Sequence, residues 1–380
     1  MTPNKVKAVV KAISFLVLVI LFLIFYFIHQ AEEFMKGSTT FTSRNEKVLD
    51  FEMPSLVLCF DPPFKASIFG NKSKNLNGLL TSNDVLNDSF DEFFENATYK
   101  LDKDFYMDMS INDQDFLDKS VNIIHEGVNN VDDIQINVSA TKTSSHGTCQ
   151  LLESDTKLNP SQGIQVKIFA AIQSDIPKSL RLYVMAKESW YGVVAETWPY
   201  LKPSEVTFQF NTSTLFWINL DVAQLTFKEG HKSIPDCMQN IASKFNCNSM
   251  CAPIFLSFLK TWPPCQTLDE TRCMFDAWVH SFYSQYKNCL RPQKTTIYKT
   301  NVVNLEDSFH PRGSVEIGLT FSSDEMEVKE ETLMIGLSSF IGSIGGSLGL
   351  FLGFSFYTLF SDLIDKLFEN FIKKRTTINP

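Results

Sequence analysis

The chain lacks almost everything that an enzyme or a nucleic-acid-binding protein needs. No phosphate-cradling glycine loop, His-Glu-x-x-His motif or nucleophile elbow occurs in its 380 residues. Histidine is scarce, and His125, His146, His231 and His280 each stand alone in the sequence. Its eight cysteines show neither Cys-x2-Cys nor a His-x3–5-His partner, so no zinc site is expected. Basic residues are outnumbered, 34 Lys+Arg against 43 Asp+Glu. A net charge of −9 excludes a phosphate backbone as the main partner. There is no internal repeat and no low-complexity tract. The expectation is a protein that is no enzyme and holds no cofactor or structural metal.

What the chain does have is two long apolar runs. Residues 12–28 carry no charge over 17 positions, and residues 334–360 carry none over 27. About 20 apolar residues cross a bilayer, and the first run reaches that once residues 8–10 are added and Lys11 snorkels. A soluble globular protein is excluded. Lys5, Lys7 and Lys11 precede the first run, while Lys366, Lys373, Lys374 and Arg375 follow the second. Basic flanks stay cytoplasmic, so both termini are predicted inside and residues 29–333 outside. The outer segments carry +3 and +1, which leaves −13 on the middle portion (−9 − 3 − 1). The alternative for the first run is a cleaved signal peptide, but the run is long and no small-x-small site follows Ile28.

The predicted layout is a cytoplasmic N-terminus (1–8), a span (9–28), an extracellular domain (29–333), a second span (334–360) and a cytoplasmic C-terminus (361–380). The fold class expected is therefore a membrane protein, with two transmembrane helices flanking a disulfide-rich, mixed α/β but mainly β extracellular domain. All eight cysteines, Cys59, Cys149, Cys237, Cys247, Cys251, Cys265, Cys273 and Cys289, lie in that domain. That is the pattern of an oxidising compartment. So do the sequons at Asn71, Asn87, Asn96, Asn137 and Asn211, which makes a glycoprotein the expectation. Phe51-Glu-Met-Pro-Ser-Leu-Val-Leu-Cys59 reads as a short strand entered at Pro54. Residues 71–137, rich in Asn, Asp, Ser and Lys, read as exposed loops and short helices. Strands are predicted at 164–172, 179–185, 206–210 and 314–321, and a helix at 271–286. Six cysteines fall in 237–289, and six allow 15 pairings.

The second run differs from an ordinary Leu/Ile/Val anchor. At 100° per residue, Ser339, Ser343 and Ser347 form one stripe, flanked by Gly342 and Gly346 and then by Gly345, Gly349 and Gly353. Leu337, Ile341, Ile344, Leu348 and Phe351 gather opposite, with Leu350 the exception. Two readings stay open here. Gly345-x3-Gly349-x3-Gly353 is a doubled small-x3-small motif that lets helices pack closely. A small, polar face also suits a water-filled path, and several copies around an axis would do both.

Gly345-Gly-Ser-Leu-Gly-Leu-Phe-Leu-Gly-Phe-Ser355 resembles the second-span signature of the degenerin/epithelial sodium channel family, which includes the acid-sensing channels. Phe51-x2-Pro-Ser-Leu-Val-Leu-Cys59, followed by Phe64-Lys65, is similar to the family box just beyond the first span. Cys247-x3-Cys251, Cys265-x7-Cys273 and Cys289-Leu-Arg-Pro with Tyr298 resemble its cysteine-rich thumb, here about 237–289. The resemblance implies a trimeric, sodium-permeable cation channel of the plasma membrane, homo- or heteromeric with related subunits, with a hand-shaped ectodomain. It places Gly353, Phe354 and Ser355 at the selectivity filter, where carbonyls and small side chains replace ion hydration. Gly342 matches a position where bulky residues hold degenerin gates open, and Ser339, Ser343, Gly346 and Ser347 line the same stripe. Cys59–Cys149 and Cys247–Cys289 are the pairings it implies. Cys237, Cys251, Cys265 and Cys273 stay unassigned.

The chain also departs from the family. Phe354 stands where the filter's middle residue is small, so three phenyl rings would narrow or reshape the constriction, or point outward into protein. The His-Gly motif before the first span is absent, and Gln293 replaces a thumb cysteine. Asp362 and Asp365 would draw cations to the inner mouth, although Asp362 with Lys366 is also an ordinary i,i+4 pair. A crowd of acids, Asp91, Glu92, Glu95, Asp102, Asp104, Asp108, Asp113, Asp115 and Asp118, reads as a solvated surface or as a sensor of protons or calcium. The rival functions are a non-conducting accessory subunit and a two-span cell-surface receptor.

Overall fold

A computed structural model describes residues 21, 24–32, 34–35, 37, 39–69, 90–113, 122–131, 134–143, 146–170, 177–187, 189, 204–210, 214–228, 234–247, 250–256, 262–279, 293–307, 314–333 and 336–352. They divide into two units. One comprises Met1–Thr42 with Glu331–Pro380, the other Ser43–Glu330. Among the described residues no helix is long and apolar enough to cross a membrane.

The larger unit is built on two sheets. An eight-stranded sheet runs β1 (Thr39–Lys47), β16 (Glu325–Leu333), β13 (Thr214–Thr226), β15 (Ser314–Phe321), β10 (Gln162–Ala170), β4 (Phe105–Asp113) and β5 (Asn122–Ile124), with β14 (Lys294–Asp307) also on β13. A six-stranded sheet runs β12 (Ser204–Gln209), β11 (Ser179–Met185), β3 (Ser55–Asp61), β8 (Gly147–Glu153), β7 (Ile134–Thr143) and β6 (Gly127–Val131). β2 (Phe51–Glu52) pairs with β9 (Lys157–Leu158). Alternation explains most of these strands. Ile164, Val166 and Ile168 of β10 are buried with Met107, Met109 and Ile111 of β4 and Val315, Ile317 and Leu319 of β15. Leu56, Leu58, Val138, Leu152, Leu180 and Leu182 of the six-stranded sheet join the same core. Each such side chain contributes about 1.5–3 kcal/mol by leaving water.

Long β13 organises the first sheet. β14 lies antiparallel to it from end to end, while β15 and then β16 run parallel along its other edge. Ser322 marks the step between those two strands: its N–H and hydroxyl both donate to the Leu220 carbonyl, at 3.0 and 2.9 Å. At Gly318 the Trp217 ring lies 2.5 Å from where a Cβ would sit, so only glycine admits the indole. Tyr298 of β14 is buried and its hydroxyl donates to the Glu52 carbonyl at 2.7 Å, which ties β14 to β2.

A second core gathers the helices Phe90–Ala97, Ile234–Ala242 and Leu268–Ala277 around Phe94, Phe255, Met274 and Trp278. The Leu268–Ala277 helix starts in a capping box: Glu270 N–H donates to the Thr267 hydroxyl and Thr267 N–H to the Glu270 carboxylate. Cys251–Cys265 and Cys247–Cys273 staple this region, and Cys59–Cys149 joins the adjacent strands β3 and β8. Cys247 is thus bonded to Cys273, not to Cys289 as the resemblance implies. The capped helix carries Cys273 to a Cα distance of 6.0 Å from Cys247, inside disulfide reach. Cys237 is also disulfide-bonded.

Other expectations shift as well. Pro54 divides the predicted 51–59 strand into β2 and β3. Residues 39–47 after the first apolar run form β1, residues 325–333 before the second form β16, and the described residues of the loop-like 71–137 stretch include a helix, β4 to β6 and the start of β7. Asn96 and Asn137 are exposed; Asn71, Asn87, Asn211 and Cys289 lie outside the described residues.

Candidate functional site

The second apolar run is helical over Leu337–Leu352, here α2, and the first is helical at residues 24–32, here α1. Four glycines lie inside α2 despite glycine's weak helix propensity. The first turn closes with Phe340 N–H on the Gly336 carbonyl at 2.8 Å. Tyr26 of α1 hydrogen-bonds Ser343 of α2, oxygen to oxygen at 2.7 Å. One turn on, the Ser347 hydroxyl donates back to the Ser343 carbonyl at 2.8 Å. Phe34 stacks on Phe340 with ring centroids 4.8 Å apart.

These contacts split the predicted stripe. Ser343 and Ser347 are half-buried, with Ser343 meeting α1, whereas Ser339, Gly342 and Gly346 are exposed. A Cβ built at Gly342 or Gly346 meets nothing within 4 Å. From the bulky arc, Leu337 and Ile341 are exposed too. Gly353, Phe354, Ser355, Asp362 and Asp365 lie outside the described residues.

Two strands lead to these helices along the chain, β1 after α1 and β16 before α2. β1 is exposed throughout and has no apolar face, and polar side chains add to its backbone pairing with β16. Thr39 donates to Glu331 at 2.5 Å and Ser43 to Glu327 at 2.9 Å. Arg44 pairs with Glu330 at 2.9 Å, and Lys47 with Asp324 at 3.5 Å. Hydrogen bonds from Lys329 and Ser43 hold the Glu327 carboxyl below the usual range, while Glu330 and Glu46 push the Arg44 guanidinium up.

Among the described residues the acid-rich segment does not form one cluster; Asp115 and Asp118 lie outside them. Asp104 meets Lys65 at 2.7 Å with both side chains about nine-tenths buried, Asp102 meets His125 at 3.0 Å, and Glu95 is held by Lys100 and Lys142. Among the described residues no group of three His, Cys, Asp or Glu is placed to hold a metal ion. Burial raises the Asp91 and Asp108 carboxyls; at Glu95 burial also pushes up, but the lysine hydrogen bonds outweigh it and the net shift is down. Sequence reasoning passed over Tyr26. Its one signal is a lone hydroxyl in a Phe-rich apolar run, and a phenol there needs a partner.

The chain belongs to the amiloride-sensitive sodium channel family, whose pattern it matches over residues 12–361. It is accordingly a membrane protein of an ion-channel family with a large β-rich extracellular domain. Among solved structures it is similar to a proton-activated chloride channel determined by cryo-EM. The identity is 8%, with 95% of this chain and 98% of that one covered, at a TM-score of 0.39. No curated protein matches the chain.

Proposed function

We propose that the protein is a trimeric, sodium-permeable cation channel of the plasma membrane, gated through its extracellular domain. Residues 9–28 and 334–360 are its two spans, both termini are cytoplasmic, and three copies of the second span surround the pore. Gly353, Phe354 and Ser355 form the filter, with Asp362 and Asp365 at the inner mouth. The observation that carries this reading is the extent of the family match, which takes in both apolar runs, the ectodomain between them and the tripeptide. The open Ser339, Gly342 and Gly346 edge of α2 suits a face turned toward water or a neighbouring copy.

The test is whole-cell recording from oocytes expressing the chain alone, with external sodium replaced by a large organic cation. An inward current that vanishes on replacement is the expected result. A chain that reaches the surface yet stays silent under acid, peptide and stretch points to the accessory-subunit reading, which the bulk of Phe354 favours.

A further inference from the structure

We infer that Tyr26 is a positioning residue of the pore, a hydrogen-bonded latch by which α1 fixes the rotation of α2 through Ser343. The inference rests on the channel reading above for its consequence, but not for its geometry. Tyr26 is half-buried and its oxygen lies 2.7 Å from the Ser343 hydroxyl, 317 positions away in the chain. Ser347 supports the contact from below, its own hydroxyl tied to the Ser343 carbonyl at 2.8 Å. No water competes for a phenol at membrane depth, so an unpartnered hydroxyl there is costly and the pair holds. The contact sits on one edge of α2 only. Gly342, about 100° round the helix from Ser343, meets nothing within 4 Å. Rotation of α2 that exchanges these edges must break the Tyr26 bond, so the latch biases any gating motion that turns this helix.

A double-mutant cycle on open probability reads the coupling, with surface expression monitored by biotinylation. Tyr26→Phe and Ser343→Ala should shift the open-to-closed ratio in the same direction by about threefold, the size of one interhelical hydrogen bond in a membrane. The double variant should go no further than either single one, and Ser343→Thr, which keeps a hydroxyl, should restore wild-type gating. Additive or absent shifts overturn the latch. A second measurement needs no current. Tyr26→Cys with Ser343→Cys is oxidised in membranes, and the chain is cut at a protease site inserted between β14 and β15. All eight native cysteines precede residue 290, so the C-terminal fragment stays attached on a non-reducing gel only through a 26–343 bond. Retention at the mass of one subunit supports the latch. Release, or retention at the mass of two subunits, overturns it. If wild type is silent the accessory-subunit reading moves ahead, and this gel still decides the contact.

Discussion

Single residues in the larger unit carry polar groups deep into the cores, and each has a different consequence. Gln150, 1% exposed between Cys149 and Leu151, has neither amide atom hydrogen-bonded. An orphaned buried amide costs about 1–3 kcal/mol, so Gln150→Leu should stabilise the full-length protein by that order in a detergent thermal melt. Lys65 and Asp104 are the opposite case, a buried pair with its charges matched. Lys65→Met alone should cost about 3–5 kcal/mol, while Lys65→Met with Asp104→Leu should recover most of the loss. Asp108, on the sheet face beside Lys167, has its carboxyl raised by burial. A raised folded-state pKa means that this group favours the fold below the ordinary carboxylate pKa and loses that contribution as pH rises through the raised value. Asp108→Asn should therefore raise the melting temperature at pH 7 and leave it unchanged near pH 3, where both side chains are neutral. An unchanged difference across that range would place the effect in packing rather than titration.

Among the elements, the disulfides carry the clearest consequence. Cys59–Cys149 closes a separation of 90 residues and Cys251–Cys265 one of 14. Chain-entropy arguments give about 4–5 and about 3 kcal/mol, so the Cys59→Ala, Cys149→Ala variant should lose more stability than the Cys251→Ala, Cys265→Ala variant. The elements also show what sequence reading can reach. β10, β11 and β15 were legible because each buries an alternating set. β13 was not: Leu215, Phe216, Trp217 and Ile218 run together, since the strand is paired on both edges and half-covered on both faces. A continuous apolar run has no period of two to detect. β1 failed for the reverse reason, having no buried face to mark it, only a backbone ladder and side-chain ties with β16. β4 hid its Phe105, Met107, Met109 and Ile111 among aspartates. In the candidate site, the serine stripe could be read from spacing, but its division between Tyr26 and an open edge depends on where a distant helix lies. Cys247–Cys273 likewise follows from the placement of a capped helix, which six cysteines in a row cannot specify.

At the scale of the whole molecule, the chain passes from β domain to helix twice, within β1 and within β16, and membership of a sodium-channel family gives that arrangement its meaning. In the proposed channel the pore lies at Gly353-Phe354-Ser355. The measurement that tests it most directly is the reversal potential of the whole-cell current in sodium–potassium exchange, for wild type against Phe354→Ala. A smaller side chain at the middle of the filter should widen the constriction and move the reversal potential toward weaker sodium preference, or release a current where wild type is silent. A wild-type current whose reversal potential is the same in Phe354→Ala, at equal surface expression, would contradict a filter at this tripeptide.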